Sequence, residues 1–139
     1  MNLKYLLDTN ILSEPLKPVP APRLLSRIKR NQGRMATAAP VWHELSFGAL
    51  RLPEGKRRSA IERYLTEVVG LTLPVLPYDA DSAGIHAEER ARLAARGLIP
   101  PFVDGQIASI AIANNLVLVT ADASGYRHFR KLKIQNWLV

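Results

Sequence analysis

Leu116-Val117-Leu118-Val119-Thr120 sets five β-prone residues in succession, with no polar residue before the threonine. A strand with one wet face alternates apolar and polar side chains, whereas an unbroken run marks a strand covered on both faces. Such strands belong to parallel sheets covered by helices, so the flanking sequence should supply the helices. On the N-terminal side it does: Pro100-Pro101 opens a helical segment from about Phe102 to Asn114. On the C-terminal side a last short strand falls near Ile134 to Leu138.

Further upstream the same alternation of elements continues. Leu3 to Leu7 is an apolar run ending at Asp8 and reads as the first strand. After the connector Pro15-Leu16-Lys17-Pro18-Val19-Pro20-Ala21-Pro22, residues Leu24, Leu25 and Ile28 carry helical spacing. Met35 to Ala38 reads as a second strand, and Pro40 as the first-turn proline of a helix reaching about Leu50. Ile61, Tyr64, Leu65 and Val68 share a face of another helix, Leu73 to Leu76 reads as a third strand, and Asp79 to Arg96 forms a helix closed by Gly97. Strands separated by helices give an α/β fold with a parallel sheet, read as one domain over residues 1–139.

Composition fits that reading and narrows the chemistry. A chain of 139 residues with 47% hydrophobic content buries roughly 70% of its unfolded surface, enough for a real core. The absence of cysteine excludes a disulfide scaffold, thiolate zinc sites and a cysteine nucleophile. Asp8 interrupts the first apolar run too early for a signal peptide, and no window reaches the roughly 20 apolar residues of a membrane span, so a cytoplasmic location is expected. Nineteen Lys and Arg against twelve Asp and Glu give a net charge of +7. If four of those acids share one site, eight remain against nineteen bases, and the other surface carries about +11, which favours a polyanion.

Four acids stand where a site would form. Ligands of open parallel sheets bind beyond the carboxyl ends of the strands. Asp8 ends the first strand, and Asp122 follows the Leu116–Thr120 run by two residues. Each also has an ordinary explanation, Asp8 as a helix cap and Asp122 as a turn residue. Glu44 shares a helical face with Val41, Phe47 and Gly48, which reads as a packed face. Asp104 lies on one stripe with Ala108 and Ala111; the helix dipole explains its position along the helix but not its face. Converging carboxylates repel unless protons or cations neutralise them, and Mg²⁺ or Mn²⁺ suits an all-oxygen ligand set.

The ordered set Leu6-Leu7-Asp8-Thr9-Asn10-Ile11-Leu12-Ser13, Val41-Trp42-His43-Glu44-Leu45-Ser46-Phe47-Gly48-Ala49, Ile99 to Ala111 around Asp104, and Leu118-Val119-Thr120-Ala121-Asp122 resembles the PIN domain family, specifically the VapC-like toxins of bacterial toxin–antitoxin pairs. The resemblance spans essentially the whole chain. It implies a PIN-like α/β/α sandwich and an endoribonuclease in which Asp8, Glu44, Asp104 and Asp122 bind Mg²⁺ or Mn²⁺, with Thr120 and Asn10 supporting. It further implies a homodimer, a VapB-like antitoxin whose tail enters the acidic groove, and structured RNA such as transfer RNA as substrate. The chain departs from the family pattern after Asp122: the acid or His followed by Phe comes late, as His128-Phe129, with an insertion around Ser124-Gly125.

Other features are read more plainly. None of His43, His86 and His128 has a second histidine at ligand spacing, so they are assigned to packing or surface, with His128 the one worth testing for catalysis. Arg51, Lys56, Arg57 and Arg58 form one candidate RNA contact, and Arg127, Arg130, Lys131 and Lys133 a second, expected near the site. Glu88 and Glu89 are expected to make surface ion pairs, and Trp42 and Trp137 to pack. Two rivals remain: a haloacid-dehalogenase-like phosphohydrolase using Asp8 as nucleophile, although Asn10 stands where its second Asp belongs, and a basic nucleic-acid-binding module without catalysis.

Overall fold

Five short strands form one parallel sheet in the computed structural model, which describes residues 2–139. They are β1 (Tyr5–Leu7), β2 (Met35–Ala38), β3 (Val75–Leu76), β4 (Val117–Val119) and β5 (Ile134–Gln135), in the order β3-β2-β1-β4-β5. Every residue of β1 and β2 is buried, including Thr37, whose hydroxyl donates to the Leu7 carbonyl at 2.9 Å. The flanking helices are α1 (Thr9–Ser13), α2 (Pro22–Arg30), α3 (Ala39–Leu50), α4 (Lys56–Arg63), α5 (Gly70–Thr72), α6 (Ala80–Ala94) and α7 (Phe102–Ala113). The α/β reading and its sheet of parallel strands hold. No helix among the described residues is long and apolar enough to cross a membrane.

Strand ends differ from the expected ones for local reasons. The third strand begins at Val75 because Pro74 has no N–H to give a ladder; its carbonyl still accepts from Thr37 N at 2.9 Å. The last strand stops at Gln135, after which the chain turns to seat Trp137. That indole is fully buried, edge-on to Tyr5 with ring centroids 4.9 Å apart. The helix expected around Ile61 is longer and less regular. A π-helical stretch, Tyr64–Val69, connects α4 to α5. Its wider turn advances the packed face by one residue, so Leu65 and Val69 are buried and Val68 is exposed.

The sheet order also locates the crevice. From β1 the chain moves outward through β2 and β3, then returns to the other side of β1 for β4 and β5. The direction of winding therefore reverses between β1 and β4, where a cleft opens beyond the strand ends. Asp8 is the first residue past β1, and Thr120 the first past β4.

Behind the cleft, α7 packs closely on α6. Gly105 makes this possible, since a Cβ there would overlap the His86 imidazole. His86 is buried, pairs through Nδ1 with the Tyr78 hydroxyl at 2.8 Å, and is held below its ordinary pKa first by desolvation and then by Arg90. It is a neutral packing histidine, as expected.

Candidate active site

Asp8 is the fixed point of the site. It caps α1 by accepting from Thr9 N at 2.8 Å, and its other oxygen accepts from the Thr120 and Tyr126 hydroxyls, both at 2.9 Å. Three donors compensate the burial of this carboxylate, which is 6% exposed. Capping and site membership are thus one arrangement rather than competing explanations. Behind it, Asn10 donates to Thr120 Oγ1 at 3.3 Å and accepts from Ala121 N at 3.0 Å, tying the end of β4 to α1. Its amide is therefore engaged with the protein, which disfavours the phosphohydrolase alternative.

The other acids arrive from separate elements. Glu44 lies on α3, Asp104 in the first turn of α7, and Asp122 just past β4; with Asp8, Thr9, Asn10, Ser13 and Tyr126 they line one open cavity of about 350 Å³. Asp104 is pushed above the ordinary carboxylate range, by desolvation first and then by the charges of Asp8, Glu44 and Asp122. Asp122 is held below it by hydrogen bonds to Ser124, whose N–H lies 3.0 Å away, with help from Arg127. Glu44 accepts from the Thr9 hydroxyl at 3.1 Å.

The expected packed face for Glu44 is corrected. The stripe that α3 buries is Val41, Leu45 and Ala49, while Glu44, Phe47 and Gly48 face outward and Phe47 is 55% exposed. Glu44 reaches the cavity from its rim. Lys131 and Lys133 are corrected as well: they stand before β5, at the end of the sheet opposite the carboxylates. Glu89 is not a surface pair. It is buried and accepts from Arg92 at 2.9 and 3.0 Å, and from the backbone and side chain of Arg130 at 2.6 and 3.3 Å.

Among the described residues, no three His, Asp or Glu side chains already form a closed metal-ligand shell. The four acids line an opening: Asp8, Glu44 and Asp122 accept hydrogen bonds from neighbouring residues, while Asp104 stands under the charge of the other three. The donor set still suits a hard divalent cation. It is all oxygen, each carboxylate has lone pairs to spare, and the charge pressing on Asp104 is what a cation would relieve.

A family model described as PIN domain matches residues 5–132. The chain belongs to the PIN domain family. Ribonuclease VapC2 of Haemophilus influenzae is 31% identical over 137 residues, covering 98% of this chain and 99% of that relative. Toxin FitB of Neisseria gonorrhoeae is 30% identical over 127 residues, covering 87% and 89%. The crystal structure of FitAcB from Neisseria gonorrhoeae matches this PIN domain with a TM-score of 0.85 at 27% identity, over 95% of this chain and 96% of that one.

Two positions in this PIN domain escaped the sequence reading. Tyr126 is 3% exposed and donates to Asp8; burial and then the charges of Asp8 and Asp104 keep its hydroxyl protonated well beyond the ordinary tyrosine range. Gly125 lies so close to Asp104 that a Cβ there would overlap the carboxylate. The insertion around Ser124-Gly125 was visible in the sequence, but its destination was not. It delivers Tyr126 to the site, whereas His128 is exposed and uses only its carbonyl, which accepts from Arg92 at 2.7 Å. Of the basic candidates, Arg51 lies over the Phe47 ring at 5.5 Å, Arg58 pairs with Glu62 at 3.3 Å, Arg130 is drawn to Glu89, and Lys56, Arg57 and Arg127 are exposed.

Proposed function

We propose that this PIN domain is a Mg²⁺- or Mn²⁺-dependent endoribonuclease, the toxin of a toxin–antitoxin pair, with Asp8, Glu44, Asp104 and Asp122 as its metal-binding acids. The observation that carries the reading is the meeting of these four carboxylates, from four separate segments, on one opening at the winding switch of the sheet. The names of the relatives support the ribonuclease and toxin assignments. A basic remainder of about +11 around an acidic centre supports a phosphodiester substrate.

A bound divalent ion would supply a more acidic water and neutralise charge on the scissile phosphate. The chain's own residues do the rest. Thr9 N, Thr120 and Tyr126 fix Asp8, so its orientation needs no rearrangement when substrate arrives. Tyr126 can only donate while its proton is held, and burial beside Asp8 holds it. Ser124 keeps Asp122 ionised and therefore ready to accept a cation. Among the exposed cations Arg127 stands beside Asp122 and would hold the RNA backbone next to the acids, with Lys56 and Arg57 on α4 as further phosphate contacts. A VapB-like antitoxin, a homodimer, transfer RNA among the substrates and a cytoplasmic location belong to the same proposal, supported by the family resemblance and the names of the relatives.

The test is cleavage of a defined RNA by purified protein with Mg²⁺, Mn²⁺ or EDTA. Endonucleolytic products should appear with either metal, vanish with EDTA, and fall at least about 100-fold in Asp8→Asn and Asp104→Asn. Cleavage that survives chelation or both substitutions would sink the reading. RNA binding with no cleavage under any condition would favour the non-catalytic module.

A further inference from the structure

The carboxyl ends of the strands gather acids, and the amino ends gather the opposite charge. Arg34 immediately precedes β2, Lys4 precedes β1 and Lys133 precedes β5. Parallel pairing brings the three to one end. Lys4 N donates to the Arg34 carbonyl, Val117 N to that of Lys4, and Leu118 N to that of Lys133, each at 2.8 Å. With parallel strands about 4.8 Å apart, Arg34 and Lys133 are separated by three intervals, roughly 14 Å. Lys131 adds a fourth cation. With Asn2 and Asn115, these residues rim a cavity of about 340 Å³.

Acids come near this cavity on one side alone, where Lys131 also borders a smaller cavity lined by Glu88 and Glu89. No acid lines it, and none of the ion pairs among the described residues uses Lys4, Arg34, Lys131 or Lys133. Lys4 and Arg34 lie over the same Tyr5 ring, at 5.5 and 5.9 Å, so two like charges share one support. The non-glycine residues with left-handed backbone among those described are Asn115 (φ 54) and Lys131 (φ 63), and both border this cavity. Four exposed cations without an ion-pair partner, held around one cavity, make a site whose ligand would be negatively charged.

We infer that this cavity is a second nucleic-acid contact, in which Arg34, Lys4, Lys131 and Lys133 bind backbone phosphates of RNA at the end of the sheet opposite the carboxylates. The inference deepens the ribonuclease reading and rests on it for the identity of the polyanion. A row of separated cations matches the repeated charge of a phosphate backbone, and lysine serves phosphate as a point charge. Helix α7 connects the two sites, with Asp104 in its first turn and Ile112 on the cavity wall eight residues later. That is about 12 Å along the axis. At the stacked rise of about 3.4 Å per nucleotide this separation corresponds to roughly four nucleotides, so a 12-nucleotide RNA is long enough to reach both.

The experiment measures binding of a labelled 12-nucleotide single-stranded RNA to the full chain over a salt series, in EDTA and in the Asp104→Asn background so that cleavage does not interfere. Combining Arg34→Gln, Lys131→Gln and Lys133→Gln should weaken binding at least tenfold at low salt. It should also lower the slope of log affinity against log salt by about 2, since each lost single-strand contact is worth about 0.7. The charge-keeping combination Arg34→Lys, Lys131→Arg and Lys133→Arg should retain both affinity and slope, which separates charge from folding. An unchanged slope in the glutamine combination overturns the inference. Displacement of the RNA by polyglutamate as readily as by RNA of equal charge also overturns it, assigning the cavity to an acidic peptide. A lowered slope in a protein that cleaves no RNA would keep the contact and reject the nuclease; intact cleavage with an unchanged slope would do the reverse.

Discussion

Asp104 is the carboxylate that the fold presses hardest, by partial burial and by the charges of three other acids. Replacing it with Asn removes that repulsion, so Asp104→Asn should melt at a higher temperature than the parent chain in EDTA. Adding Mn²⁺ should then raise the melting point of the parent but not of the variant, a pair of scans that calorimetry reads directly. Gly125 protects the position of Asp104. Gly125→Ala should reduce RNA cleavage by about 10–100-fold while leaving the melting point nearly unchanged, because misplacing a reacting group by about 1 Å is costly to rate rather than to folding. Tyr126→Phe leaves a buried lone pair on Asp8 unsatisfied and should cost about 1–2 kcal/mol in urea unfolding. The acids were legible from their type, order and relation to strand ends. Tyr126 was not, because its partner is 118 residues away and only the folded path of the insertion brings them together. The face of Glu44 was misjudged because Phe47, an apolar residue left half-exposed, looked like part of the core.

Helix α6 does more than cover the sheet. Glu89 reaches from it to Arg130, and Arg92 beside it holds the carbonyl of His128, so the helix clasps the segment that carries Tyr126. The hydrogen bonds of Arg92, then those of Arg130, bring Glu89 down to about 2 from 4.5. A folded-state value below the unfolded one means that the unfolded chain takes up the proton first. The stability Glu89 contributes is therefore complete above about 4.5 and is lost as the pH falls toward about 2. Glu89→Gln should lose about 2 kcal/mol at neutral pH and show a flatter acid-unfolding profile across that window, measured by urea denaturation at several pH values. Most elements were legible because apolar runs and helical spacing report burial directly. The helix through Tyr64 was not, since residue spacing alone does not reveal a π turn that shifts burial from Val68 to Val69.

For the molecule as a whole, the parallel sheet sorts charge by its two ends. Strand ends at the winding switch collect Asp8, Asp122 and, through α3 and α7, Glu44 and Asp104; strand beginnings collect Arg34, Lys4 and Lys133. The sequence made the α/β class and the meeting of acids beyond the strand ends readable, because unbroken strand runs and acids at strand ends have few other solutions. The placing of Lys131 and Lys133 depended on which end of β5 they precede, which charge counting does not reveal. The most direct measurement is anomalous scattering from crystals of the protein soaked in Mn²⁺ at a concentration that supports RNA cleavage. A peak should stand in the opening between Asp8 and Asp104 and be missing from Asp104→Asn crystals. Manganese bound only elsewhere, or no peak at all in the parent crystals, would contradict the account.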